Sequence, residues 1–496
     1  MAHHEDRNEA AQGETRALHR ALNVATIGSF VNMGIGVVSA LIISRIYGAT
    51  ILGGYALAYL AVALVPYLTS LCEQPALVRL LAVEPERGER GSGLVLATIT
   101  LSLTLTILIS PLVAAGCALY LLYAAHLPNA VAPMVCLVIG YMALDKLSAN
   151  LDGVLSAYRA AGRLAVANVL NSGVMAAAAA VLGLTGKSLW SLTIASLTAS
   201  AVGLAFRLWA VRRYLRWRVG GEYYRSGLRE LPGMVRFGIQ ILPGSLAQGL
   251  TIQSALWVLG ATVPVAVVGA FSRAQSITVR IGDLNYRLAA VIFPSLVRRA
   301  QIDDGGKSLV ADVMTSLGRT FAPLLLILCG AAGASHTILS LFGEDFLSAT
   351  DSLAILLVAI GISTAAMIFG EALTALNRPR LTSLGLVLGL VATLAPLIHL
   401  TRAYGATGAS IAVLCGTLVS TAFLFGSLVS ATLGQWRQHR VAMWASALAV
   451  FCLLAYAILH WVQSVAGTLT TIGVGVALTG LALLPRRWPS IARRSP

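Results

Sequence analysis

Long apolar runs alternate with short polar or basic segments from residue 22 to residue 485. An α-helix needs about 20 apolar residues to cross the hydrocarbon core of a bilayer. The pattern predicts spans at 22–45, 50–71, 93–124, 130–155, 165–185, 188–211, 234–258, 263–296, 313–340, 352–376, 381–398, 407–430, 440–459 and 466–485. The fold class is therefore all-α, a polytopic membrane protein of about 14 transmembrane helices. Spans 3 and 8 are longer than a bilayer requires, and Pro111 and Pro294 are their expected break points. The first run is too long for a signal-peptide core and has no small-residue cleavage site, so it reads as a span. The polar residues 1–21 before it read as a disordered cytoplasmic tail.

Composition agrees with this pattern. The chain has 496 residues, 57% hydrophobic and 11% charged, whereas a soluble domain carries about a quarter charged residues. The net charge of +15 is distributed by side of the membrane. Of 35 lysines and arginines, three (Arg45, Lys187 and Arg402) fall in outside loops and six within spans, leaving 26 of the 35 for cytoplasmic tails and loops. Positive residues favour the cytoplasmic side, so both termini are expected in the cytoplasm. The basic balance is then topogenic rather than the footprint of a nucleic acid.

Catalytic and metal-binding patterns are missing. Cys72, Cys117, Cys136, Cys329, Cys415 and Cys452 lie within spans or at a span end without metal-ligand spacing, and read as small packing residues. Gly186-Lys187-Ser188 lacks the glycine a phosphate-binding loop needs five residues earlier, where Val181 stands, and falls in a predicted outside turn. Gly473-Val474-Gly475 lies inside the last apolar run and follows no strand. No HExxH or GxSxG occurs, and the eight histidines are scattered. No enzyme activity, cofactor or metal is expected.

An internal repeat is visible. Gly153-Val154-Leu155-Ser156-Ala157 resembles Gly370-Glu371-Ala372-Leu373-Thr374-Ala375 further along the chain. Gly53-Gly54-Tyr55-Ala56 resembles Gly269-Ala270-Phe271-Ser272 at nearly the same offset. Both relate span n to span n+6, and an even shift preserves direction across the membrane. The expected plan is two parallel six-span lobes related by an axis along the membrane normal. The lobes are 22–211 and 234–430, joined by a basic cytoplasmic linker at 212–233. Residues 431–496 add spans 13 and 14 and a basic tail.

Four stretches carry a resemblance to a known family. They are Ile43-Ser44-Arg45-Ile46-Tyr47-Gly48 with Leu52-Gly53-Gly54-Tyr55-Ala56-Leu57; Pro243 with Val268-Gly269-Ala270-Phe271-Ser272 and Phe293-Pro294; Leu341-Phe342-Gly343-Glu344-Asp345-Phe346 with Ala349 and Leu356; and Tyr404-Gly405-Ala406-Thr407-Gly408-Ala409-Ser410-Ile411-Ala412. In order and spacing they resemble the polysaccharide (Wzx-type) flippase branch of the multidrug/oligosaccharidyl-lipid/polysaccharide exporter superfamily. The resemblance covers roughly residues 20–430. It departs in span 7, where the family often has an acidic residue and this chain has Gln253 and Ser254.

The resemblance implies a flippase in a bacterial inner membrane. It would translocate an undecaprenyl diphosphate-linked oligosaccharide for O-antigen, capsule or exopolysaccharide by alternating access. Membrane lipids, a polymerase and a chain-length regulator would be its partners. Such a cargo has an anionic head, which needs cations inside the bundle. In span 8, Arg273, Arg280 and Arg287 recur every seven residues, so they share one helix face about 10 Å apart. Charge at bilayer depth is costly, so such a stripe points to a polar cavity, and arginine suits bidentate phosphate contacts. Arg45 is a further candidate. Asp283 is placed to pair with Arg280 and Arg287. Asp145 and Asp152 in span 4 and Glu371 in span 10 fit either ion coupling or pairing with neighbouring cations. In the lipid-flipping relatives a pair like spans 13 and 14 can hold the polyprenyl tail. The alternative is a multidrug or other small-molecule antiporter of the same superfamily, which would want an apolar, aromatic or acidic cavity. A glycosyltransferase would want a large outside loop with carboxylates, and only Glu344, Asp345 and Asp351 cluster outside.

Overall fold

The computed structural model describes residues 2–69, 77–78, 80–81, 88–158, 160–216, 220–300, 307–317 and 322–432, with side chains from Val31 onward except at scattered positions, chiefly 283–292. No strand occurs among the described residues. Spans 13 and 14, at 440–459 and 466–485, lie outside them.

Helix α1 (Ala2–Thr69) holds spans 1 and 2 and turns at Gly48, whose φ of 71° and ψ of 172° suit only glycine. It begins at Ala2, so the stretch expected to be disordered is helical; its alanines, glutamates and arginines favour helix. Helix α2 (Glu89–Leu119) continues into a π-helical turn at Tyr120–Ala124. The expected break at Pro111 does not occur. A proline forgoes one ladder bond, a loss that packed membrane helices tolerate. Span 4 is a 3-10 turn (Pro128–Ala130), α3 (Val131–Cys136), a π-helical turn (Leu137–Tyr141) and α4 (Met142–Ala157). Spans 5 and 6 are α5 (Ala161–Thr185) and α6 (Leu189–Val211). Ser188 caps α6 by accepting from Ser191 N at 3.3 Å, so the Gly186-Lys187-Ser188 stretch is a helix-entry turn.

Helix α7 (Gly221–Thr262) starts inside the stretch expected to be a linker. Within residues 221–233, Gly227 lets α7 pack closely against the start of α2. A Cβ on Gly227 would lie 2.6 Å from Gly93 O. Helix α8 (Val265–Ala300) runs without interruption through Pro294, again without the expected break. Span 9 takes in the end of α9 (Lys307–Ser316), then α10 (Ala322–Gly333) and α11 (Ser335–Ser340). It is not one helix, since α10 and α11 divide at Ala334. A 3-10 turn (Glu344–Ala349) follows. Helix α12 (Thr350–Ala375) ends at Asn377, whose φ of 58° closes the helix while Arg378 N donates back to Leu373 O. Helix α13 (Pro379–Ala431) holds spans 11 and 12 and turns at Gly405 (φ 58°, ψ −132°). Close approaches at Gly385 with Leu424, Gly389 with Ser420 and Thr393 with Gly416 show its two arms running antiparallel.

Seven helices among the described residues are long and apolar enough to cross a membrane. Two of them, Gly34–Thr69 within α1 and Pro379–Ala431, belong to helices that turn at a glycine and so hold two predicted spans each. The chain is a multi-pass membrane protein.

Two compact units divide the chain. Unit 1 comprises Met1–Arg273, Leu339–Ala349 and Leu394–Ala412; unit 2 comprises Ala274–Ile338, Thr350–Thr393 and Val413–Pro496. Within unit 1, α1 packs on α5 and α7, α5 on α6, α2 on α7, and α4 on α6; within unit 2, α10 packs on α12. In lipid, helices associate by close packing rather than by expelling water, so small residues mark the contacts.

Each unit has an apolar cluster, one including Leu151, Leu155 and Val211, the other Ile368, Ala372 and Leu428. The second set follows the first at one constant offset (151 to 368, 155 to 372, 211 to 428), the same that separates Gly153 from Gly370. The repeat read in the sequence thus places equivalent residues in equivalent cores.

Candidate functional site

Helix α8 is fixed at its start by Pro264, whose carbonyl accepts from Val267 N at 2.9 Å. Val268, Gly269, Ala270, Phe271, Ala274, Gln275 and Thr278 are buried, while Val279 is exposed. Ser272 and Thr278 return their hydroxyl protons to Gly269 O and Gln275 O, both at 2.8 Å. These polar side chains are therefore satisfied within the helix. Arg273 and Arg280 are half-buried on this helix, and both are engaged by polar or electrostatic contacts. Seven residues of unbroken α-helix put them about 10 Å apart on nearly the same face. Asp283 and Arg287 continue the same helix, but their side chains lie outside those described.

Arg45 stands apart from this helix. It is exposed, and its Nε donates to Leu341 O at 2.9 Å while Nη2 lies 3.5 Å from Ser340 O.

The acidic candidates separate into two kinds. Asp152 on α4 forms a two-pronged ion pair with Arg207 of α6, Nε to Oδ1 at 2.7 Å and Nη2 to Oδ2 at 3.0 Å. Arg207 is 6% exposed. Its Nη2 also donates to Asn168 Oδ1 on α5 at 2.8 Å. A Cβ on Gly203 would meet Arg207 Nη1 at 3.0 Å and Asn171 Oδ1 at 3.2 Å, so glycine there leaves room for the guanidinium. Asp145, one seven-residue step earlier on α4, sits in the field of Lys146, Arg207 and Asp152. Lys146 is buried. Glu371 on α12 is half-buried.

Arg207, Asn168 and Asn171 were not singled out in the sequence. Arg207 and Asp152 are 55 residues apart, beyond any helical spacing rule. The available signal was the lone arginine in an apolar span, which needs a buried partner.

In span 7, Ser254 is buried and returns its hydroxyl proton to Thr251 O at 3.3 Å, and Gln253 is half-buried. Among the described residues no three His, Cys, Asp or Glu side chains converge as a metal site. Cys117, Cys136 and Cys415 are free thiols.

Comparison with known proteins follows this geometry. A family model for polysaccharide biosynthesis proteins matches residues 159–351. No curated protein sequence matches the chain. The lipid II flippase MurJ, solved in an inward closed conformation, is similar with a TM-score of 0.66 at 12% identity, covering 92% of this chain and 97% of that one. An inward-facing multidrug resistance MATE family transporter of the MOP superfamily is similar at a TM-score of 0.59 and 15% identity, covering 84% of this chain and 95% of that one. A MOP superfamily transporter from Pyrococcus furiosus, described as having a binding pocket of reverse polarity, gives a TM-score of 0.58 at 15% identity, with the same coverages of 84% and 95%. Over residues 159–351 the chain carries the sequence pattern of a polysaccharide biosynthesis protein, and over most of its length it has the fold of the MOP-superfamily transporters, in agreement with the resemblance read from its sequence.

Proposed function

We propose that this chain is a flippase that carries a polyprenyl diphosphate-linked oligosaccharide across the bacterial inner membrane. Two six-span lobes would rock to expose a cationic cavity to either side in turn, with both termini in the cytoplasm. The observation that carries this reading is the pair Arg273 and Arg280, half-buried on nearly the same face of α8. A guanidinium grips phosphate through paired donors and keeps its charge at any physiological pH. Arg287 would extend the stripe, and Asp283 would hold it in place when empty.

The polysaccharide biosynthesis match supports a glycan cargo. So does the likeness to a flippase whose own substrate is lipid II. Asp152 is occupied by Arg207, so Asp145 and Glu371 are the better candidates for any coupling ion.

The test is direct. Proteoliposomes holding the purified chain and a synthetic polyprenyl diphosphate disaccharide are treated with a membrane-impermeant reagent that modifies only outward glycan. Flipping should bring more than half of the lipid within reach. Export of cationic drugs with no movement of the lipid-linked sugar would replace this reading with the multidrug antiporter, the second reading favoured by the MATE likeness.

A further inference from the structure

Residues 45–48 end the first predicted span on its outer side, and their bonds pull in two directions. Tyr47 is buried and donates its hydroxyl proton to Ala179 O of α5 at 2.8 Å. Gly183, one turn further along α5, lies against Ile46 and Tyr47; a Cβ there would meet Ile46 Cγ2 at 2.5 Å and Tyr47 Cε2 at 3.1 Å. These contacts tie the end of span 1 to the first six spans.

Arg45 reaches the other way, to Leu341 O and Ser340 O. Both carbonyls close α11, which belongs to the second six spans. A helix leaves its last carbonyls without intrahelical partners. Ser340 O also accepts from Gly343 N at 3.2 Å, whereas the Arg45 Nε bond is the close one to Leu341 O. At the kink, a Cβ on Gly48 would lie 3.5 Å from Asp345 Oδ2, so the loop after α11 rests on bare backbone. Further along α1 and α8, the approach of Gly53 to Gly269 is made by backbone alone. Arg45 is thus a polar fastening at this end of the first span.

We propose that Arg45 is an outer latch, whose guanidinium must release the carbonyls of Leu341 and Ser340 before the outer side of the protein can open. This rests on the alternating-access reading above, but not on the identity of the cargo. A charge-assisted bond to a carbonyl is stronger than a neutral one and is indifferent to the side chains of the loop that supplies it. Lysine keeps the charge but offers a compact ammonium in place of the planar fork.

The experiment measures conformation without substrate. The full-length chain, its six cysteines replaced, carries spin labels at Lys187 and Glu344, both exposed on the predicted outside. Pulsed electron resonance then reads the distance distribution in nanodiscs. Arg45→Ala should raise the ratio of long- to short-distance populations about tenfold, the factor expected for losing a bond to a charged group. Arg45→Lys should fall between. Arg402→Ala, an exposed outside cation, should leave the distribution unchanged.

Should Arg45→Ala not yield monodisperse protein, Arg45→Gln supplies the same comparison. An unchanged distribution, or an equal shift from Arg402→Ala, overturns the latch and leaves the cargo assignment standing. A shift as expected in a chain that moves no lipid-linked sugar keeps the latch and removes the cargo assignment.

Discussion

Gly53 and Gly269 lie back to back, each in the place where the other's side chain would be. A Cβ on Gly53 would strike Val265 O and lie 2.9 Å from Gly269 N; a Cβ on Gly269 would strike Ala49 O and lie 2.8 Å from Gly53 N. The contact is reciprocal in numbering as well, since 49 to 265 and 53 to 269 are equal steps. Any side chain at either position must push α1 and α8 apart. Gly53→Leu or Gly269→Leu should lower stability by about 2 kcal/mol or more, as overpacking does. Gly173→Ala, which meets open space, should be neutral. Thermal unfolding followed by fluorescence size-exclusion compares the three, and a stable Gly53→Leu protein would contradict the close approach.

The ion pair of Asp152 and Arg207 has an apolar counterpart. The offset that carries Leu151 to Ile368 carries Asp152 to Phe369 and Arg207 to Leu424, both buried in the cluster of unit 2. The second half of the chain therefore closes the same place without charge. Removing one member of a buried pair strands the other, at about 3–5 kcal/mol, whereas an apolar pair of suitable shape can replace both. Arg207→Leu alone should reduce folded protein sharply. Asp152→Phe with Arg207→Leu should recover most of it. A double variant no better than the single would mean the two halves are not interchangeable here.

Substitutions of Arg273 and Arg280 should act on transport rather than on folding. Either one to Ala or Gln should abolish movement of the lipid-linked glycan at matched membrane levels, and Lys should retain part of it. Asp283→Asn should give a milder loss, because it frees arginines rather than removing them. Thr278→Val and Val279→Ala should change little. Full activity of the arginine variants would leave the stripe a structural ion network.

Topology is tested by cysteine labelling. Single cysteines at His126, Gly186, Glu344 and Arg402, all exposed, should react with an impermeant reagent from outside. Those at Arg87, Arg218, Lys307 and Arg437 should not. One clear reversal would break the predicted order of spans.

The apolar runs and the glycines between them were legible because bilayer thickness dictates length and backbone closure dictates helix. The glycine of the 53/269 match proved to be a contact, since close helix packing in lipid restricts the residue type so severely. The breaks were less legible. Pro111 and Pro294 looked like interruptions, but a packed helix absorbs the loss of one bond. Span 9 looked continuous, yet divides beside Gly333, a single glycine of the kind that elsewhere in the chain runs on inside a helix. The arginines of α8 followed from spacing within one helix. Arg207 with Asp152 and Asn168 joins three helices, and periodicity along one helix carries no information about its neighbours.

The glycine contact also bears on ancestry. A contact in which position 53 meets 265 while 49 meets 269 is isologous, one patch facing a copy of itself. A half-length chain bearing that patch once would already hold what is needed to pair with a second copy in parallel about an axis along the membrane normal. Fusing two such copies end to end would leave the interface intact and let each side drift on its own. An ion pair at Asp152 and Arg207 opposite an apolar one at Phe369 and Leu424 is the kind of divergence such a history permits.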